Sequence, residues 1–196
     1  MIDEAWRKPS SLYFVNPRIN RIFEGCHMKR VFGILFLMAL VCVSCIKEKQ
    51  TGADLAAGDR IPDFQVTMND GTLVTGEQLS HGISCIVFFT TLCPDCRQIL
   101  PHVQRIYDEY ASEGVKFALI SREDPLQSVS QYWMEQGYTM PYSAQGDRKV
   151  YELFARTRVP RVYICREGII RTIFTDSPVP SCEDLAFALE GARYEF

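Results

Sequence analysis

Cys93-Pro94-Asp95-Cys96 is the stretch of this chain whose residue types and spacing could do chemistry. Two thiols three positions apart can close a small disulfide ring, or can supply half of a metal site. A structural zinc site needs four ligands, usually with a second close pair. Cys165 and Cys182 are not closely spaced, and His81 and His102 are isolated, so redox chemistry ranks ahead of zinc. Each residue of the motif has a physical reason in the redox case. A thiol at a helix N-terminus faces unsatisfied backbone N–H groups and the positive end of the dipole, which stabilise the nucleophilic thiolate. Pro94 fits the first helical position, where its missing N–H matters least. Asp95 acts both ways: it complements the helix dipole and opposes a thiolate on Cys93.

The surrounding periods supply that helix N-terminus. Ser84 to Thr90 is a continuous apolar run, as in a strand covered on both faces. From Pro94, the positions Ile99, Leu100, Val103, Ile106 and Tyr110 fall near one stripe at helical spacing. Upstream, Phe64 to Thr67 and Thr72 to Thr75 flank the turn pair Asp70-Gly71 and predict a hairpin. Val115 to Ser121 reads as a second buried strand. Asp124 then looks like an N-cap with Pro125 at the first helical position, and Leu126, Val129 and Trp133 mark one helix face up to Gly137. Asp147 is placed to cap a further helix through Val150, Leu153 and Phe154. Arg161 to Cys165 and Ile169 to Phe174 form a hairpin through Glu167-Gly168. Ser181 and Asp184 open a last helix. The order βαβ, helices, β-hairpin, helix is α/β with a mixed sheet.

The N-terminal part has a different character. Met28-Lys29-Arg30 precedes an apolar run from Val31 to Val43, broken only by Gly33, and matches a secretory signal. The run is short of the ~20 residues of a spanning helix. Val43-Ser44-Cys45 resembles a bacterial lipobox, which would lipidate Cys45 and make it the mature N-terminus; Cys42 stands where Leu or Val is usual. Cleavage without lipidation is the alternative. A true start at Met28 is the simplest account, with residues 1–27 as a gene-prediction artefact or disordered upstream segment. Residues 28–45 are then signal and lipobox, 46–57 a tether, and 58–192 the folded domain. The expected location is outside the cytoplasm on a membrane-anchored lipoprotein, or free in the periplasm without the lipid.

Composition narrows the class further. Apolar residues make up 47% and charged residues 23% of the 196, an ordinary globular balance for one domain plus an extra segment. A net charge of −3 argues against a nucleic-acid partner, because no basic excess is present to neutralise phosphates. The eight cysteines are too scattered for a disulfide scaffold.

Phe88-Phe89-Thr90-Thr91-Leu92-Cys93-Pro94-Asp95-Cys96-Arg97 resembles the thioredoxin active site, in particular the TlpA/ResA-type branch of extracytoplasmic oxidoreductases. Pro101 falls where thioredoxins kink the active-site helix. Val159-Pro160 before Arg161-Val162-Tyr163-Ile164 resembles the cis-proline segment. Pro62-Asp63-Phe64 resembles the start of this branch's domain, and the helix between Asp124 and Gly137 sits at its insertion. The resemblance spans residues 58–192. It implies a thioredoxin-like fold, a central mixed sheet with helices on both faces, an N-terminal β-hairpin and a helical insertion. It implies that Cys93 attacks a disulfide and Cys96 resolves the mixed disulfide, with Pro94, Asp95, Val159 and Pro160 in support. No cofactor is implied. Partners would be a protein thiol or disulfide substrate and an upstream electron donor, with the chain a monomer. The family's strand pairing also implies that Cys85 and Cys165 are neighbours, both buried and reduced, with a disulfide between them as the alternative.

Departures from the family pattern matter. Leu92 stands where Trp usually precedes the first cysteine, and Val87 where thioredoxin has its buried acid. Proton transfer for Cys96 would then fall to water or another group, with Glu123 a candidate on the same sheet edge and a solvated loop charge its alternative. Cys182 reads as a partly exposed thiol, His102 as solvent-facing and Trp133 as core. Two rival functions remain: a peroxiredoxin-type thiol peroxidase, for which Thr90 and Cys93 fit but Ile86 does not, and a copper- or metal-binding module on the same fold.

Overall fold

The computed structural model describes residues 54–194. The expectations for the upstream segment, the signal, Cys45 and residues 46–53 of the tether fall outside them. Folded packing starts before residue 58. Leu55 is buried, its N–H donates to the Phe154 carbonyl at 2.8 Å, and Asp54 takes the Arg161 guanidinium.

An N-terminal hairpin pairs β1 (Gln65–Thr67) with β2 (Leu73–Thr75), and a single-turn helix α1 (Gly76–Leu79) follows. Thr75 and Gln78 form a capping box there. The main sheet has the order β5-β4-β3-β6-β7. Its central strand β3 (Ile83–Phe89) runs parallel to β4 (Lys116–Ser121) and antiparallel to β6 (Arg161–Arg166). β5 (Tyr142–Ser143) and β7 (Ile169–Phe174) form the edges. The helices are α2 (Pro94–Tyr110), α3 (Leu126–Gln136), α4 (Lys149–Glu152) and α5 (Cys182–Tyr194).

Burial of both faces of β3 follows from neighbouring aromatics that alternate across the sheet. Phe88 meets Tyr151, Phe154 and Tyr163 on one face, and the next residue, Phe89, meets Trp133 on the other. The predicted stripe of α2 is buried at all five positions. Glu167 (φ 48°) and Gly168 (φ 73°) make the two-residue turn between β6 and β7, the left-handed pair that a tight hairpin needs. Ser181 and Asp184 cap α5 reciprocally: each backbone N–H meets the other's side chain.

Five expectations need correction. Asp124 does not cap α3; Pro125 is the N-cap, without a side-chain hydrogen bond, and the Asp124 carboxylate goes elsewhere. The helix near Asp147 is one turn with Arg148 as N-cap, so Leu153 and Phe154 lie beyond it. Asp147 instead accepts from the Lys149 N–H in a local turn. Cys182 is buried rather than partly exposed, because α5 starts with that side chain facing the core, and His102 is half-buried. Cys85 and Cys165 lie on adjacent strands but are offset: Ser84 faces Cys165, and Cys85 faces Ile164. Residues directly opposite share a face, so the two thiols point to opposite sides of the sheet. Both are free and buried.

Candidate active site

β3 ends at Phe89, and a four-residue turn carries the chain to Pro94 at the start of α2. Cys93 is the N-cap of α2 (φ −79°, ψ 122°), and its Sγ accepts from the Cys96 N–H at 3.4 Å. The sulfur therefore takes the place of a Ser or Asp cap oxygen, directed at an orphan amide of the first turn. Pro94 occupies the first helical position and Asp95 lies in the first turn, as the sequence requires.

The two thiols differ in access. Cys93 is partly exposed, whereas Cys96 is fully buried. Burial, above all, pushes the Cys96 thiol well above the ordinary range; the Thr90 backbone opposes this, and Cys93 and Asp95 add to it. Both cysteines are free thiols.

The second half of the site comes from the segment before β6. The Val159–Pro160 bond is cis, and the Val159 carbonyl accepts from the Cys93 thiol at 3.4 Å. In this state that carbonyl is occupied by Cys93 rather than open to an extended substrate. Tyr151 Oη, 2.6 Å from the Thr157 and Arg158 carbonyls, donates to this turn, and Arg161 donates to Thr157 from below. Arg158 itself has a left-handed backbone (φ 69°) beside Val159.

Leu92, the departure from the family's Trp, is 81% exposed directly before Cys93 in the chain. Val87 is buried and apolar, so β3 supplies no acid beneath the motif. Glu123 is on the expected sheet edge, in a left-handed conformation (φ 63°), but its half-exposed carboxylate is held by Arg122 and Arg148. The acid that reaches the turn before the motif is its neighbour. Asp124 is buried and its Oδ2 accepts from the Thr91 N–H at 2.7 Å. The pattern Asp-Pro ahead of a helix pointed to a cap and concealed this longer-range contact, and the charged Arg122-Glu123 before it gave no sign of burial.

The Redoxin family matches residues 56–185. A thiol-disulfide oxidoreductase ResA from Oceanobacillus iheyensis is 24% identical over 139 residues, which is 68% of this chain and 72% of that protein. A thiol:disulfide interchange protein of the thioredoxin family from Chlorobium tepidum superposes with a TM-score of 0.61 at 22% identity, over 71% of this chain and 99% of that one. A secreted disulfide oxidoreductase from Mycobacterium tuberculosis superposes with a TM-score of 0.59 at 17% identity, over 66% and 96%. The fold and these likenesses define a thioredoxin-like oxidoreductase of the thiol–disulfide class. The chain belongs to the Redoxin family, with a ResA-type likeness within it.

Proposed function

We propose that Cys93 and Cys96 form a redox pair that reduces disulfides of protein substrates outside the cytoplasm. The observation that carries it is the asymmetry of the pair: an accessible sulfur capping α2, with a buried thiol one turn on. The Cys93 thiolate attacks one sulfur of a substrate disulfide. A Cys93–substrate S–S bond forms, the substrate S–S bond breaks, and the departing thiolate takes a proton from solvent. Cys96 then gives up its proton and attacks the Cys93 sulfur. The second substrate thiol leaves, and the pair is left as a disulfide, oxidised by two electrons. A dithiol donor returns those electrons. Burial that keeps Cys96 protonated at rest protects the pair from premature closure on other sulfurs.

The reductase direction is taken from the resemblance of residues 58–192 to the TlpA/ResA-type branch. Location outside the cytoplasm is supported by the signal pattern from Met28 and by the secreted relative, with Cys45 as lipid anchor. The test is turnover of a disulfide-bonded protein with dithiothreitol as donor. Catalysis that disappears in Cys93→Ser supports the proposal. Peroxide consumption without disulfide turnover would favour a peroxidase, and tight Cu(I) binding without turnover a metal carrier. A Cys45→Ala variant that still partitions wholly with lipid would defeat the anchor.

A further inference from the structure

Thr91 links β3 to the redox motif and is buried. Charged side chains hold both of its backbone polar groups. Its N–H donates to Asp124 Oδ2 at 2.7 Å, and its carbonyl accepts from Arg97 Nε at 2.7 Å. Arg97 in turn lies over the Tyr132 ring of α3, 5.5 Å from its centre. Next to Thr91, the Thr90 carbonyl accepts from the Cys93 N–H at 3.4 Å, and the Thr90 backbone favours the Cys96 thiolate against burial. The turn that holds the Cys93 N–H is therefore tied through Thr91 to the loop after β4.

Asp124 is suited to be that tie. It is 5% exposed, and a buried carboxylate is retained at such a place only with donors. Its own N–H donates to the Gln145 carbonyl at 3.0 Å, which fixes it to the loop between β5 and α4. The carboxylate bonds to a backbone amide, so it acts on the position of the turn and not by taking a cysteine proton. Around it stand Arg122 and Glu123 from its own loop, Arg97 across Thr91, and Gln145 and Asp147 from the loop after β5. Asp147 is occupied with Lys149, and Glu123 with Arg148.

We propose that Asp124 is a positioning residue of the redox pair: by holding the Thr91 N–H it fixes the turn that sets Cys93 at the head of α2. This rests on the pair being redox-active. Burial raises the Asp124 pKa, against the lowering effects of Thr91 and Arg122, so its charge titrates above the range of an exposed aspartate. Protonation weakens the grip on Thr91.

The test compares wild type, Asp124→Ala and Asp124→Asn. The readouts are the rate at which Cys93 reacts with a dipyridyl disulfide from acid to neutral pH, and the equilibrium of the pair with glutathione. Asp124→Ala should slow Cys93 about tenfold and shift the equilibrium severalfold, as loss of one charge-assisted hydrogen bond implies. Asp124→Asn keeps an acceptor of the same shape. It should retain most of the rate but lose an acid-range inflection present in the wild-type profile. A merely structural aspartate would move the unfolding midpoint and leave that profile in place. Unchanged rate and profile in both variants overturn the proposal. If Asp124→Ala does not fold, persistence of the inflection in Asp124→Asn overturns it and its loss supports it. A wild type that never exchanges with glutathione defeats the redox assignment, and this inference falls with it; a cycling wild type with unaltered variants defeats this inference alone.

Discussion

Two pairs of cysteines lie on or beside the same strand, and their surroundings differ. Cys85 is in the middle of β3, with Cys165 on the neighbouring strand β6. Both are buried, and each faces a different side of the sheet. Burial pushes the Cys165 thiol up to about 12, and raises the Cys85 thiol still further with a small contribution from Cys165. Cys93 and Cys96 lie just beyond the end of that strand, where the backbone turns into a helix. One sulfur there meets solvent, a first-turn amide and the Val159 carbonyl. The same side chain is thus inert packing within the sheet and a candidate nucleophile a few residues on. Reactivity follows from access and from the polar groups aimed at sulfur, not from the number of thiols.

Substitution should separate the two pairs most sharply. Cys93→Ser should lower disulfide-reductase turnover by about a thousandfold or more, because the hydroxyl cannot form the mixed disulfide. Cys85→Ala should leave turnover within about twofold, since it touches only packing. Comparable losses from both would erase the distinction between the pairs.

Alkylation sharpens the contrast without mutation. At neutral pH, native protein should take up iodoacetamide at Cys93 at least about a hundredfold faster than at Cys85 or Cys165, which hold little thiolate and little access. The buried pair should label only after unfolding, and should label fully without reductant. Protection of both in unfolded protein would reveal a disulfide that the strand register forbids.

Stability gives the smaller effects. Cys85→Ala removes a buried sulfur and should cost about 1 kcal/mol in denaturant unfolding, whereas Cys93→Ala, at a partly exposed site, should cost less. Asp124→Asn should show a pH-dependent difference. Burial raises the folded-state pKa of Asp124 above its unfolded value, so the folded protein holds that proton more tightly. Wild type should then lose stability relative to Asp124→Asn as pH rises through the folded pKa, and the difference should stop changing below the unfolded value of ~3.9. A difference that runs the opposite way with pH would show that the Thr91 bond outweighs burial.

Much of this site was legible in the sequence because its signals are local. Cys93-Pro94 at a strand-to-helix junction fixes the cap, the stripe from Ile99 to Tyr110 fixes the buried face of α2, and Glu167-Gly168 fixes the last hairpin. Asp124 was not legible, because an aspartate before Pro-Leu satisfies a cap pattern equally well, while its real partner Thr91 is far away in sequence. β5 has two residues, too few to carry a period. The offset of Cys85 from Cys165 was hidden for another reason. Strands buried on both faces are apolar throughout, so no alternation marks which residues stand opposite.

The division of labour between Cys93 and Cys96 is tested most directly by trapping. Cys96→Ala and Cys93→Ala proteins, mixed in reduced form with a disulfide-bonded substrate, are resolved without reductant and the linked cysteine is mapped by mass spectrometry. The predicted result is a stable adduct through Cys93 in Cys96→Ala and none in Cys93→Ala. An adduct through Cys96 in Cys93→Ala, with none in Cys96→Ala, would contradict it.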